Sequence, residues 1–177
     1  MHRFNAVIAL LLFAVALAAC DSSPARSTTP TARPQTPTAT VTAVAFPSTR
    51  ITYTNDGVPA VINVEVASTP EQNERGLGYR DALAEDAGML FDLGETKIPQ
   101  FWMKGMRFPL DIVWIFEDGR VASILTAVPM QTGAPDGDLV RHAPPVAVRY
   151  ALELNAGAAG RLGLAPNTKL AFDLPRQ

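Results

Sequence analysis

The chain has 177 residues, 18% of them charged and 47% hydrophobic, with 15 lysines and arginines against 17 acids and a formal charge of −2. That length fits one domain with tails, and the charge balance leaves no basic stripe to follow a phosphate backbone, so no nucleic-acid partner is expected. Two histidines and a single cysteine leave little for a soft-ligand metal site and nothing for an internal disulfide, and no cofactor is expected.

The N-terminus reads as an export signal. His2 and Arg3 make a short basic start, and Ala6 to Ala19 carries no polar side chain. The run is too short to cross a bilayer comfortably, which takes ~20 residues, but it suits a signal-peptide core. It closes in Leu17-Ala18-Ala19-Cys20, which resembles the lipobox of bacterial lipoproteins. In that family the cysteine thiol takes diacylglycerol and becomes the first mature residue. The resemblance implies a signal peptide over 1–19, lipidation at Cys20, and anchoring on the extracytoplasmic face of a bacterial cell membrane. Each buried CH₂ of a lipid adds roughly 0.8 kcal/mol, so two or three acyl chains hold without a transmembrane helix. Residues 20–49 are rich in Thr, Ser and Pro, with almost no large apolar side chain before Phe46. Such a composition does not bury enough surface to offset chain entropy. Its prolines favour polyproline II, giving a stalk that reaches on the order of 90 Å at ~3.1 Å per residue.

The domain is expected over 50–177. Ile51–Thr54 and Val58–Ala67 flank Asn55-Asp56-Gly57 as a hairpin. Thr69-Pro70-Glu71-Gln72 is a capping-box signature with proline at the first helical position, opening a helix that stops at Gly76 or Gly78. Asp81–Ala87 reads as a second helical turn, and Gly88–Phe91 and Phe101–Lys104 as short strands. The densest apolar block runs from Phe101 to Val121 and holds both tryptophans. Within it Leu110–Phe116 suits a strand buried on both faces. Asp118-Gly119 predicts a type I′ hairpin turn into a partner strand over Val121–Val128. Residues 129–145 form a long polar loop with several Gly and Pro, of a kind usually functional or mobile. Tyr150–Leu154 returns to strand, Asn155 caps a short helix ending at Gly163, and Lys169–Leu174 alternates as a last strand. About seven short strands with two or three short helices make the chain mostly β (α+β), either a small β-barrel or a strongly curved mixed sheet.

Several of these stretches together resemble a known family. Val64-Glu65-Val66-Ala67, Thr69-Pro70-Glu71, Glu74-Arg75-Gly76-Leu77, Gly88-Met89-Leu90-Phe91, Phe101-Trp102-Met103-Lys104, Pro109-Leu110-Asp111-Ile112 and Ala151-Leu152-Glu153-Leu154-Asn155 are similar, in order and spacing, to the bacterial and archaeal domain called DUF192. The likeness covers residues 60–174. It implies a compact, mostly β domain, often secreted or lipid-anchored, with no established activity. Two positions depart from the pattern: Gly105 stands where the family usually has Asn after the Lys, and Gly78 where it usually has Met.

The candidate site residues each carry two readings. Arg75, at the end of its helix, either clamps an anion with its planar fork or caps carbonyls and pairs with Glu65. Trp102 and Lys104 share one face of their segment, as a cradle for a ligand or as packing with a snorkelling amine. Asp111 opens an apolar strand, so its carboxyl must be paired or hydrogen-bonded; Lys104 and Arg107 are the nearest candidates. Glu153 faces away from Leu152 and Leu154, and if it met Asp111 the two would form an acid–base pair of the sugar-hydrolase kind. His142 reads as a solvated loop histidine. No nucleophile elbow, P-loop, dinucleotide fingerprint or HExxH motif is present. The favoured reading is a non-enzymatic module binding a small molecule or envelope component through Arg75, Trp102, Lys104, Asp111 and Glu153. The alternatives are a hydrolase using Asp111 and Glu153, and a structural domain that engages an envelope protein.

Overall fold

The computed structural model describes residues 44–176. The export signal, Cys20 and most of the stalk lie outside the described residues. The domain lies within one compact unit, Val41–Gln177.

Strands β1 (Ser48–Asn55) and β2 (Val58–Ala67) form the expected hairpin. Asp56 and Gly57 turn it at φ +49° and +81°, the two positive values a type I′ turn demands. Helix α1 (Pro70–Arg75) starts as its capping box dictates. Thr69 Oγ1 accepts from Gln72 N at 3.2 Å, and Gln72 Oε1 accepts from Thr69 N at 3.1 Å. The other end of the Gln72 amide donates to Ala45 O at 2.8 Å, so the domain takes in residues slightly ahead of Arg50. Strand β3 (Ala87–Lys97) runs parallel to β2 after α1. Strands β4 (Leu110–Ile115), β5 (Val121–Val128) and β6 (Val148–Asn155) complete a six-stranded sheet of order β1-β2-β3-β6-β4-β5. A short helix, α2 (Ala158–Arg161), follows β6.

The sheet buries both faces. Ile51, Ile62, Leu90, Val113 and Leu152 pack on one side with Ala158 and Ala159 of α2. Met89, Phe91, Ile112, Trp114 and Ala151 pack on the other with Leu77 and Met103. Every residue of β4 is buried, Asp111 included, within an otherwise apolar run.

Several expectations are corrected. The sheet is open rather than a closed barrel, with β1 and β5 at its edges. Only a C-terminal strap approaches both ends. It makes isolated bridges at Thr52–Ala171 and Arg120–Lys169, so Lys169–Leu174 is not a ladder strand. Residues 81–86 are not helical; the Leu83 and Ala84 carbonyls are taken by Asn155 Nδ2 at 3.0 and 3.1 Å. That leaves Asn155 unavailable to cap α2, whose cap is Gly157 with φ +78°. Phe101–Lys104 is not a strand either. Phe101 exchanges both backbone bonds with His142 at 2.8 Å, and the chain then turns at 103–106. The β4–β5 connection bends through Gly119 alone among its residues, at φ +84°, with Gly119 N donating to Phe116 O and Phe116 N to Arg120 O. That is a three-residue loop with a glycine bulge rather than a type I′ turn.

Candidate functional site

Two carboxyl side chains are buried among the described residues, Asp111 at 0% exposure and Glu153 at 5%. They lie on neighbouring strands. Asp111 pairs across the β4–β6 ladder with Leu154, and Glu153 with Ile112. Directly opposed residues share a face and consecutive ones alternate, so the two carboxyls point to opposite sides of the sheet. The acid–base pair of a hydrolase is therefore not formed.

Asp111 is fully engaged in structure. Its Oδ1 accepts from Ala127 N at 2.8 Å and its Oδ2 from Ala159 N at 3.0 Å. The first bond holds β5 where Ala127 takes φ +52°. The second supplies the N-terminal cap that α2 lacks from its own Gly157. The cations expected beside it are elsewhere: Lys104 pairs with Asp136 at 2.6 Å, and Arg107 with Asp81.

Glu153 differs. It has no hydrogen-bond or ion-pair partner among the described residues, and burial alone pushes its carboxyl up to about 8. It is a neutral acid at pH 7. Its side chain helps to line a cleft of about 550 Å³ between the end of α1 and the 99–106 segment. Leu77, Phe91, Phe101 and Met106 supply apolar wall, and Arg75, Trp102 and Lys104 reach the same cleft. Four of the five sequence-predicted residues thus come together, and Asp111 lies apart from them.

The geometry at the rim follows from local chain constraints. Gly105 takes φ +68°, and a Cβ there would sit 2.8 Å from the Tyr79 ring. This is a left-handed position that Asn and Gly share, so the departure from the family pattern is one of space more than chemistry. Tyr79 in turn carries the Arg75 guanidinium 5.0 Å from its ring centroid; Arg80, not Arg75, pairs with Glu65. Lys104 Nζ lies 5.8 Å from the Trp102 ring, and Arg141 covers the same ring at 3.6 Å. The hydrogen bond that Lys104 donates to Asp136 raises the lysine pKa.

Arg141 and Asp136 were not foreseen as neighbours of the site. Both belong to the long 129–145 loop, and sequence marks that loop only by its length and composition. His142 anchors the loop through its backbone, and partial burial lowers its pKa. A larger hollow of about 700 Å³ beside β1, the β4–β5 turn and the strap holds neither buried carboxyl. Among the described residues no cluster of three or more His, Cys, Asp or Glu could hold a metal ion, and no helix is long and apolar enough to cross a membrane.

Comparison with known proteins places these features. Residues 51–172 match the family model DUF192, described as "Uncharacterized ACR". A crystal structure from Sinorhizobium meliloti, of a protein provisionally described as a transcription regulator, is 36% identical with a TM-score of 0.65; the match covers 73% of this chain and 97% of that one. A protein of unknown function from Novosphingobium aromaticivorans is 29% identical with a TM-score of 0.62, covering 69% of this chain and 83% of that one. No curated protein matches.

Proposed function

The chain belongs to the DUF192 family, and from that premise we propose that it is a non-enzymatic binding module, tethered to the outer side of a bacterial membrane by lipid on Cys20 and held off it by the Thr/Pro-rich stalk. One observation carries the binding reading. Glu153 is a buried carboxyl without a partner among the described residues, and it lines a cleft whose rim holds Arg75, Trp102 and Lys104. A buried polar group left unpaired costs roughly 1–3 kcal/mol, and a ligand that satisfied it would recover that penalty. A few convergent polar groups in a mostly apolar cleft are the usual make-up of a small-molecule site.

The regulator description of the Sinorhizobium relative finds no support in charge, because 17 acids outnumber 15 bases and no cationic surface of the kind that tracks phosphates results. Native mass spectrometry of the protein released from its own envelope tests the binding reading. A copurifying small molecule is expected, and it should be lost from a Trp102→Ala, Glu153→Leu double variant. A wild-type spectrum identical to that of the variant would sink the idea. The tether has its own test: Cys20→Ser should release the protein from membranes, and continued tight association would refute anchoring by lipid.

A further inference from the structure

We propose that the ligand is a small monocarboxylate with an apolar body and a carbonyl at its inner end, and that its carboxylate takes the place on Lys104 that Asp136 now holds. This rests on the cleft being a binding site, as argued above.

The rim supplies the first part. Lys104 Nζ already holds a carboxylate at 2.6 Å, that of Asp136, whose side chain is 69% exposed. An ion pair so exposed contributes little, so an incoming carboxylate can replace it with little loss. Asp136 is in effect a stand-in, carried on the 129–145 loop and lining the neighbouring hollow that shares Lys104 with the cleft. Of the cations at the cleft, Lys97 already pairs with Glu95 at 3.5 Å, which leaves charge for one negative group. Glu74 lines the cleft beside Arg75, and its carboxylate offsets one of the cations that a dianion such as phosphate would need.

The interior supplies the rest. Leu77, Phe91, Phe101 and Met106 can cover an apolar or aromatic body. At the buried end stands Glu153, whose neutral carboxyl donates one hydrogen bond and accepts others. A bare acyl tail would leave that group unpaired, which costs binding free energy; a carbonyl or amide satisfies it. An amine would have to form a desolvated ion pair after passing Arg75 and Lys104, whose charge opposes it.

The test uses full-length protein in detergent and three probes: N-acetyl-L-phenylalanine, its methyl ester and phenethylamine, followed by calorimetry and tryptophan fluorescence. The acid should bind at least 10-fold more tightly than the ester. Lys104→Met should weaken the acid by about 10-fold, and Asp136→Asn should strengthen it several-fold by removing the competitor. Affinity should fall as pH rises through about 8, where Glu153 loses its donor, and Glu153→Gln should abolish that fall while keeping the affinity. Equal binding of acid and ester, an unchanged Asp136→Asn, or a flat wild-type pH profile would each overturn the assignment. Preference for phenethylamine would overturn the monocarboxylate and leave the cleft as a binding site. Failure of every probe, with no copurifying molecule in the native spectrum, would overturn both.

Discussion

The two faces of the sheet each bury one carboxyl, one residue apart along the β4–β6 ladder, and treat it in opposite ways. On one face Asp111 gives both oxygens to backbone N–H groups and ties β5 and α2 to the sheet. On the other Glu153 has no partner among the described residues and borders a cleft. Burial alone therefore does not distinguish structure from site. The distinction lies in whether the protein itself completes the hydrogen bonds, because a satisfied buried group stabilises and an unsatisfied one costs free energy that only something outside the fold can recover.

That contrast can be broken by substitution. The largest effect is expected at Asp111: replacing it with Ala strands two N–H groups and should lower stability by about 3–5 kcal/mol in denaturant unfolding. A loss below 1 kcal/mol would mean that Asp111 is no more structural than Glu153. Next comes Glu153→Gln, which should raise stability at pH 8. The folded carboxyl titrates near 8 against an ordinary 4.5, so the folded state keeps a proton that the unfolded chain has lost. Stability from this group is greatest below 4.5, declines as pH rises towards 8 and is level beyond. The Gln variant should lack that decline, and thermal melts from pH 4 to 9 would reveal it; parallel curves for the two proteins would contradict the orphan state. The smallest effect belongs to the rim, where Lys104→Met should leave the denaturant midpoint nearly unchanged; a clear drop would make Lys104 part of the folding framework.

How far sequence could go depends on the range of the interactions involved. The β1–β2 hairpin and α1 were legible because Asp56-Gly57 and the Thr69–Gln72 box act within a few residues. β4 was legible because a strand apolar at every position but Asp111 needs burial on both sides. Asp111 was recognisable as a group that must find partners, but one of them, Ala159, lies 48 residues away, and no local pattern points to it. Alternation around Glu153 told which way it faces without telling that nothing would meet it. Trp102 and Lys104 keep the predicted alternation with buried Met103, although their segment bonds to His142 in place of a sheet neighbour. Arg141 and Asp136 meet Trp102 and Lys104 from the 129–145 loop, whose path depends on backbone pairing that no periodicity encodes.

The strap at Thr168–Ala171 has a consequence for how the domain comes into being. It joins Thr52 across 119 residues and follows in the chain every element it touches, so the outer edge of β1 at Thr52 stays bare until synthesis or export has delivered it. Closures over such separations are slow, and an uncovered edge invites pairing with another nascent copy. Assembly therefore finishes from its tail. A nascent chain stalled before the strap emerges should be the form most prone to associate with its neighbours.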